Sequence, residues 1–241
     1  MTRGIFRSVS VTLAALALTL SLFQPALAGP VLICKTYEIG NAKSLPWGGS
    51  EWRSVKSDYD INRLVEDTLA LLTPDAPVLA RMETLRRATI YAEWARHDRE
   101  VNYAKRNDNA AQELFSRLAT NSKQSAFHAA SRKPDPLKLF DAGFYVESWK
   151  QAQGHGGKKP LDFDGYALVK QAIALRGNDP EMEFAAALIT SIRPDKAAHR
   201  AHLQKAIAGA KEGSLLARNI VNHFGRGGQS LADLRASLAK N

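Results

Sequence analysis

Two histidines one helical turn apart are the first residues whose spacing could do chemistry. His199 and His202 stand at positions i and i+3, so on a helix both imidazoles could reach one metal ion. No Glu lies between them, so the pattern is not that of the zinc proteases. Only Asp195 adds a carboxylate within four residues on either side. We therefore favour surface histidines on a charged helix and predict neither a metal nor another cofactor.

Two glutamates end short runs that match each other. The run Ala-Thr-Ile-Tyr-Ala-Glu ends at Glu93, and the run Ala-Gly-Phe-Tyr-Val-Glu ends at Glu147. A pair of carboxylates can supply the acid and base that cleave a glycan or peptidoglycan. The similarity of the runs favours a repeated packing unit over a catalytic pair. An enzyme acting on cell-envelope material stays open as the alternative function.

The chain has one cysteine, Cys34, which excludes an internal disulfide and a Cys-x-x-Cys redox motif. In an oxidising compartment such a thiol is buried, kept reduced or joined to another molecule. An intermolecular disulfide through Cys34 is therefore one hypothesis. No Gly-x-Ser-x-Gly motif points to a serine nucleophile.

The segment 1–28 has the pattern of a bacterial signal peptide. Arg3 and Arg7 precede an apolar run at 9–23, and Ala26-Leu27-Ala28 matches the A-x-A cleavage signal. A membrane anchor is the alternative, but the run falls short of the ~20 residues that span a bilayer. We expect cleavage after Ala28 and a mature protein that is periplasmic or secreted, with no transmembrane anchor.

The mature chain, 29–241, is basic. The segment 1–28 contains Arg3 and Arg7 and no acidic residue, so its removal lowers the net charge from +9 to +7. Outside the cytoplasm, anionic membrane or cell-wall surfaces are the expected partners of a basic protein. The basic residues are spread among acidic ones, so we favour an ordinary solvated surface as the explanation of this charge. As partner we predict a protein or cell-envelope component, and no nucleic acid.

Residues 29–57 form a distinct N-terminal arm in the prediction. Glycines and prolines interrupt any helix there, and Val31-Leu32-Ile33 could be a short strand or a strap across helices. Trp47 and Trp52 either pin the arm to the rest of the fold or form the lip of a ligand groove. The segment Cys34-Lys-Thr-Tyr-Glu-Ile-Gly-Asn-Ala-Lys-Ser-Leu-Pro-Trp47 resembles the beginning of a set of secreted bacterial proteins of uncharacterised function. That resemblance implies secretion but no chemistry.

Residues 58–241 are predicted to be a single all-α domain. Apolar residues recur at helical spacing over 60–72 and 78–97, and no long run alternates with period two. The alanine-rich stretch from Asp179 to Phe224 is typical of consecutive, closely packed helices. Asp residues next to Pro, as at Asp135-Pro136 and Asp179-Pro180, mark helix starts. We expect about eight to ten helices in antiparallel succession.

Residues 164–224 are similar at class level to tetratricopeptide-like helical arrays. When Pro194 is aligned with the closing proline of that repeat, its large positions hold Tyr166, Val169 and Ile173, which fits. Its small positions fall on Lys170, Met182 and Ile189, which departs from the pattern. The resemblance implies a stacked helical array, or α-solenoid, with a concave binding face. The alternative architecture is an irregular helical bundle.

The sequence identifies no specific activity. We expect an extracytoplasmic helical protein that binds or scaffolds another macromolecule, with the concave face and the N-terminal arm as its contact surfaces. The enzyme alternative depends only on the predicted compartment and on the two glutamates.

Overall fold

The computed structural model describes residues 31–97, 109–127, 134–153 and 163–239. The predicted signal peptide, residues 1–28, lies outside these ranges. All regular structure in the described residues is helical, so the all-α prediction is confirmed for them. None of the described helices is both long and apolar enough to cross a membrane.

Nine α-helices follow a short 3-10 turn at Ile61–Arg63 in the described part of the chain. They are α1 (Leu64–Leu71), α2 (Val78–His97), α3 (Ala110–Phe127), α4 (Pro136–Ala152), α5 (Gly165–Arg176), α6 (Pro180–Ser191), α7 (Lys196–Gly209), α8 (Leu215–Phe224) and α9 (Leu231–Ala239). The bounds of α2 are those predicted from the sequence. Helix α3 continues past Leu118, where its apolar stripe ends, into a polar and weakly patterned stretch.

Aspartates cap four of these helices. In each case the side chain accepts a hydrogen bond from a backbone N–H of the first turn, which would otherwise be unsatisfied. The four residues are Asp135, Asp164, Asp179 and Asp195. The Asp-Pro starts predicted at α4 and α6 are confirmed.

Helices α2, α4 and α6 contact one another and form the centre of the fold. All residues from 139 to 149 on α4 and from 182 to 190 on α6 are buried. A helix that is buried all round must have neighbours on every side. The helix contacts are consistent with an array, while membership of the tetratricopeptide class stays a prediction.

Two further helix pairs complete the packing around the centre. Helix α4 packs closely on α5, and α6 packs closely on α7. Gly143 of α4 and Gly165 of α5 face each other, so that a Cβ added to either would lie 2.5 Å from the other's carbonyl oxygen. The absence of a side chain at both positions lets the two backbones approach.

The described part of the N-terminal arm lies across α2 and α8. Leu32, Tyr37 and Leu45 are buried in the common core. Residues 31–35 form turns, so the strand alternative for Val31–Ile33 is wrong and the strap alternative is correct. The backbone N–H of Tyr37 donates to the buried Glu83 of α2, a side-chain contact that replaces the partner a sheet would offer.

Candidate functional site

Three helices bring Tyr166, His202 and Glu183 into one chain of hydrogen bonds. Tyr166 lies in the first turn of α5, Glu183 in the first turn of α6, and His202 in the middle of α7. The Tyr166 hydroxyl lies 2.7 Å from His202 Nε2, and His202 Nδ1 lies 2.5 Å from Glu183 Oε2. The residues come together because α5, α6 and α7 pack in succession.

Glu183 is fully buried at the base of this chain. Its Oε2 faces His202, and its Oε1 accepts a hydrogen bond of 3.1 Å from Lys205 Nζ. An ionised carboxylate can only accept, so His202 Nδ1 carries a proton and donates it. In the neutral imidazole Nε2 is then an acceptor, and the Tyr166 hydroxyl donates to it.

Tyr166 is partly exposed and lies in a mixed electrostatic field. Burial raises the pKa of its hydroxyl, Arg193 opposes that rise, and the carboxylates of Asp195, Glu183 and Asp164 add to it. The hydroxyl is consequently protonated at neutral pH. Any loss of its proton requires a base, and His202 is the one within hydrogen-bond distance.

Cations surround the Tyr166 ring. Lys170 Nζ lies 4.7 Å and the Arg193 guanidinium carbon 4.8 Å from the ring centroid, which are cation–π distances. Arg193 also donates to Glu147 Oε2 at 2.9 Å, and Lys150 donates to Glu147 Oε1 at 3.0 Å. We call the connected set the Tyr166 cluster; its members are Tyr166, His202, Glu183, Glu147, Lys150, Lys170, Arg193 and Lys205.

The Tyr166 cluster has two chemical capabilities. Its hydroxyl, imidazole and carboxylate stand in the order of a nucleophile, a base and a group that orients the base. Three of its four cations pair with two carboxylates that are almost wholly covered by protein, and the fourth, Lys170, lies over the Tyr166 ring. The first arrangement can move a proton, and the second can attract an anion.

The structure gives different partners to His199 and His202, which were considered as a possible metal pair from their spacing. His199 Nδ1 donates to the Ala187 carbonyl at 2.9 Å, and its ring lies against Phe224. His202 is engaged with Glu183 and Tyr166 instead. No group of three or more His, Cys, Asp or Glu side chains suited to a metal occurs in the described ranges.

Glu147 and Glu93, the predicted alternative for catalysis, occupy neighbouring helices. Both oxygens of Glu147 are held in ion pairs, and the side chain is 8% exposed. Glu93 is a partly buried residue on α2. Glu147 thus serves in this structure as the anchor for Lys150 and Arg193.

Trp47 and Trp52 lie where the arm meets α2. The indole of Trp47 stands edge-on to Tyr91, with the Arg86 and Arg87 guanidinium carbons 5.1 and 5.4 Å from its ring centroid. The carbonyl of Trp52 accepts a hydrogen bond from Arg86. Both tryptophans contribute contacts that hold the arm against α2.

Cys34 is a free, partly buried thiol in the arm. Burial raises its pKa, and the charges of Arg53 and Arg86 oppose that rise. A thiol with a raised pKa has less of the reactive thiolate at neutral pH.

Two open clefts lie away from the Tyr166 cluster. One, of about 410 Å³, lies between the arm and α8, with the Glu38–Arg218 ion pair on its wall. The other, of about 290 Å³, lies between α7 and α9 and includes Ile207 and Leu238. Arg218 Nε forms an ion pair with Glu38 Oε2 at 2.6 Å, so Glu38 is not an unpaired carboxylate on the wall of the first cleft.

Comparison of the chain with protein-family models, with curated proteins and with solved structures gives no match. The resemblances to secreted bacterial proteins and to tetratricopeptide-like arrays remain predictions, and the site is interpreted from its own geometry.

Sequence reasoning missed Tyr166 and Glu183 as site residues. Tyr166 was considered only as a large position of the helical repeat, and Glu183 was not singled out. Tyr166, Glu183 and His202 belong to three successive helices, so no spacing motif within one segment links them. The available signal was Glu183 itself, an acidic residue between the apolar Met182 and Phe184.

Proposed function

We propose that the mature protein acts outside the cytoplasm and binds an anionic component of the cell envelope through the Tyr166 cluster. The predicted signal peptide and the net charge of +7 on the mature chain support the compartment and the sign of the partner's charge. The phosphate or carboxylate groups of envelope lipids and polymers are the chemistry that such a surface recognises.

The observation that carries the proposal is the difference in exposure between the cluster's cations and its anions. The side chains of Lys150, Arg193 and Lys205 are 34%, 33% and 52% exposed, and Lys170 is also exposed. Glu147 and Glu183 are only 8% and 0% exposed. The two buried carboxylates hold Lys150, Arg193 and Lys205 in place. The cluster therefore exposes its positive charges to solvent and not its negative ones.

Two exposed carboxylates near Tyr166 belong to helix caps. Asp164 accepts from the Ala167 backbone N–H, and Asp195 accepts from that of Ala198. Each stands at the positive end of its own helix, which offsets part of its charge. The exposed cations of the Tyr166 cluster can therefore still bind an anion.

The proposal is tested by sedimentation of the mature protein with vesicles that contain phosphatidylglycerol, and separately with purified cell-wall sacculi. The variant combines Lys170→Gln with Lys205→Gln. Since each lysine near an anionic surface contributes ~1 kcal/mol, we expect roughly 30-fold weaker binding. The control combines Lys43→Gln with Lys56→Gln, two exposed arm lysines that give the same change in charge.

Equal binding by the two double variants would contradict the proposal, because only net charge would then matter. Binding by the wild type that resists about 0.5 M salt would also contradict it, since exposed charges are screened at high ionic strength.

A further inference from the structure

We propose that Tyr166 is a nucleophilic tyrosine that accepts a phosphoryl group, with His202 as its base and Glu183 as the residue that positions His202. Tyr166 would then carry out a reaction as well as belong to a binding surface. It depends on the proposed function only for the substrate class, because the same cations would hold a phosphate ester beside the hydroxyl.

The hydrogen-bond pattern assigns each residue its part. Glu183 accepts from His202 Nδ1 and is itself fully buried, so it fixes both the tautomer and the ring orientation. In the neutral imidazole Nε2 is then an acceptor, and it lies 2.7 Å from the Tyr166 oxygen, within the range for direct proton transfer. Nothing needs to rearrange for the proton to move.

Tyr166 differs in this respect from the other tyrosines that the structure describes. The hydroxyls of Tyr37, Tyr91 and Tyr145 donate to backbone carbonyls, which are not bases at neutral pH. Tyr59 donates to the Asp67 carboxylate at 3.0 Å. Among the five described tyrosines, Tyr166 is the one whose hydroxyl lies within hydrogen-bond distance of an imidazole nitrogen.

The proposed reaction transfers the phosphoryl group first to Tyr166 and then to water. As the Tyr166 oxygen forms a bond to phosphorus, its proton passes to His202 Nε2, and the imidazolium is paired with Glu183. The bond between phosphorus and the leaving alcohol breaks, and His202 returns the proton to that alcohol. Water then attacks the tyrosyl phosphate with His202 as base, which restores Tyr166 and releases phosphate.

The test uses diisopropyl fluorophosphate on the mature chain, because this reagent leaves a stable phosphoryl adduct and releases fluoride. We measure the rate of adduct formation at each tyrosine by peptide mass mapping. Since a positioned base accelerates such reactions 10²–10⁴-fold, Tyr166 should react about 100-fold faster than Tyr59. Tyr59 is the matched internal control, being also partly buried and also bonded to a side chain.

A His202→Gln variant should bring the rate at Tyr166 down to that at Tyr59 while leaving the Tyr59 rate unchanged. Equal rates at Tyr166 and Tyr59 in the wild type would overturn the proposal, and that comparison needs no variant to fold. Tyr166 reactivity that survives His202→Gln would overturn the role of His202. The reagent is uncharged, so failure here leaves the vesicle-binding result unaffected, and the two proposals can fail separately.

Discussion

Glu83 and Arg86, one turn apart on α2, form a two-point ion pair with no exposed surface on either side chain. Arg86 Nε lies 2.7 Å from Glu83 Oε2, and Arg86 Nη2 lies 2.8 Å from Oε1. Arg86 Nη1 also donates to the carbonyls of Ile33 and Trp52 in the arm. The pair thus joins the arm to the central helix.

An Arg86→Met substitution should detach the arm and destabilise the fold. Because it leaves Glu83 buried without this partner, we expect a loss of ~3–5 kcal/mol in the free energy of unfolding. Urea unfolding followed by circular dichroism measures the loss, and tryptophan fluorescence reports on Trp47 and Trp52. The control is Arg63→Met, whose partner Asp67 is also one turn away but whose side chain is 70% exposed, and it should cost less than ~1 kcal/mol. Similar losses in both variants would show that the buried pair does not anchor the arm.

The contact between Gly143 and Gly165 predicts that neither tolerates a methyl group. A Gly143→Ala side chain would stand 2.5 Å from the Gly165 carbonyl oxygen, so α4 and α5 would have to separate. We expect a cost of ~1–3 kcal/mol from this overpacking, measured as the shift in thermal midpoint. Gly177→Ala is the comparison: it has open space but a φ of +74°, so it bears only a backbone cost of ~1 kcal/mol. A smaller loss at Gly143 than at Gly177 would contradict the close approach.

The lowered pKa of His223 predicts that the folded protein loses stability as the pH falls. Burial lowers its pKa from 6.5 to about 4, while its Nδ1 donates to the Asn219 carbonyl and its ring stacks on Tyr37. The unfolded chain therefore takes up the proton first as the pH falls. The contribution of His223 to stability is complete above about pH 6.5 and is lost between pH 6.5 and about 4.

A His223→Phe variant keeps an aromatic ring against Tyr37 but cannot take up a proton. Its stability should fall less than that of the wild type between pH 7 and pH 4, by up to roughly 3 kcal/mol. Urea unfolding at both pH values gives the difference, with His199→Gln as the control. Parallel pH profiles for wild type and His223→Phe would refute the assignment.

The Cys34 thiol should react slowly with alkylating reagents in the folded protein. Burial raises its pKa, so the thiolate fraction at pH 8 is smaller than in an unfolded chain. Alkylation by iodoacetamide, followed by intact mass, should proceed several-fold more slowly than in concentrated guanidinium chloride. A faster reaction in the folded state would contradict this. Intact mass of the protein from its native envelope, without reductant, decides separately whether Cys34 is joined to another molecule.

Local sequence signals were sufficient for most of the helix boundaries. Asp135 and Asp179 cap helices where the sequence placed them, because a cap acts within one turn of its own residue. The period of apolar residues gave the all-α class for the same reason. The 3-10 start at Ile61–Arg63 and the extension of α3 to Phe127 were missed, since helix ends depend on neighbours as well as on propensity.

The sequence by itself determined the helical class, the caps and the excess of positive charge, because these depend on residue type and on spacing along one segment. The tertiary structure alone decided that His202 faces Tyr166 and Glu183 while His199 turns to Ala187, and that Gly143 meets Gly165. Each of those relationships joins residues of different helices. It is fixed by which helices pack together and by their rotation about their own axes, and no spacing within a single segment records either quantity.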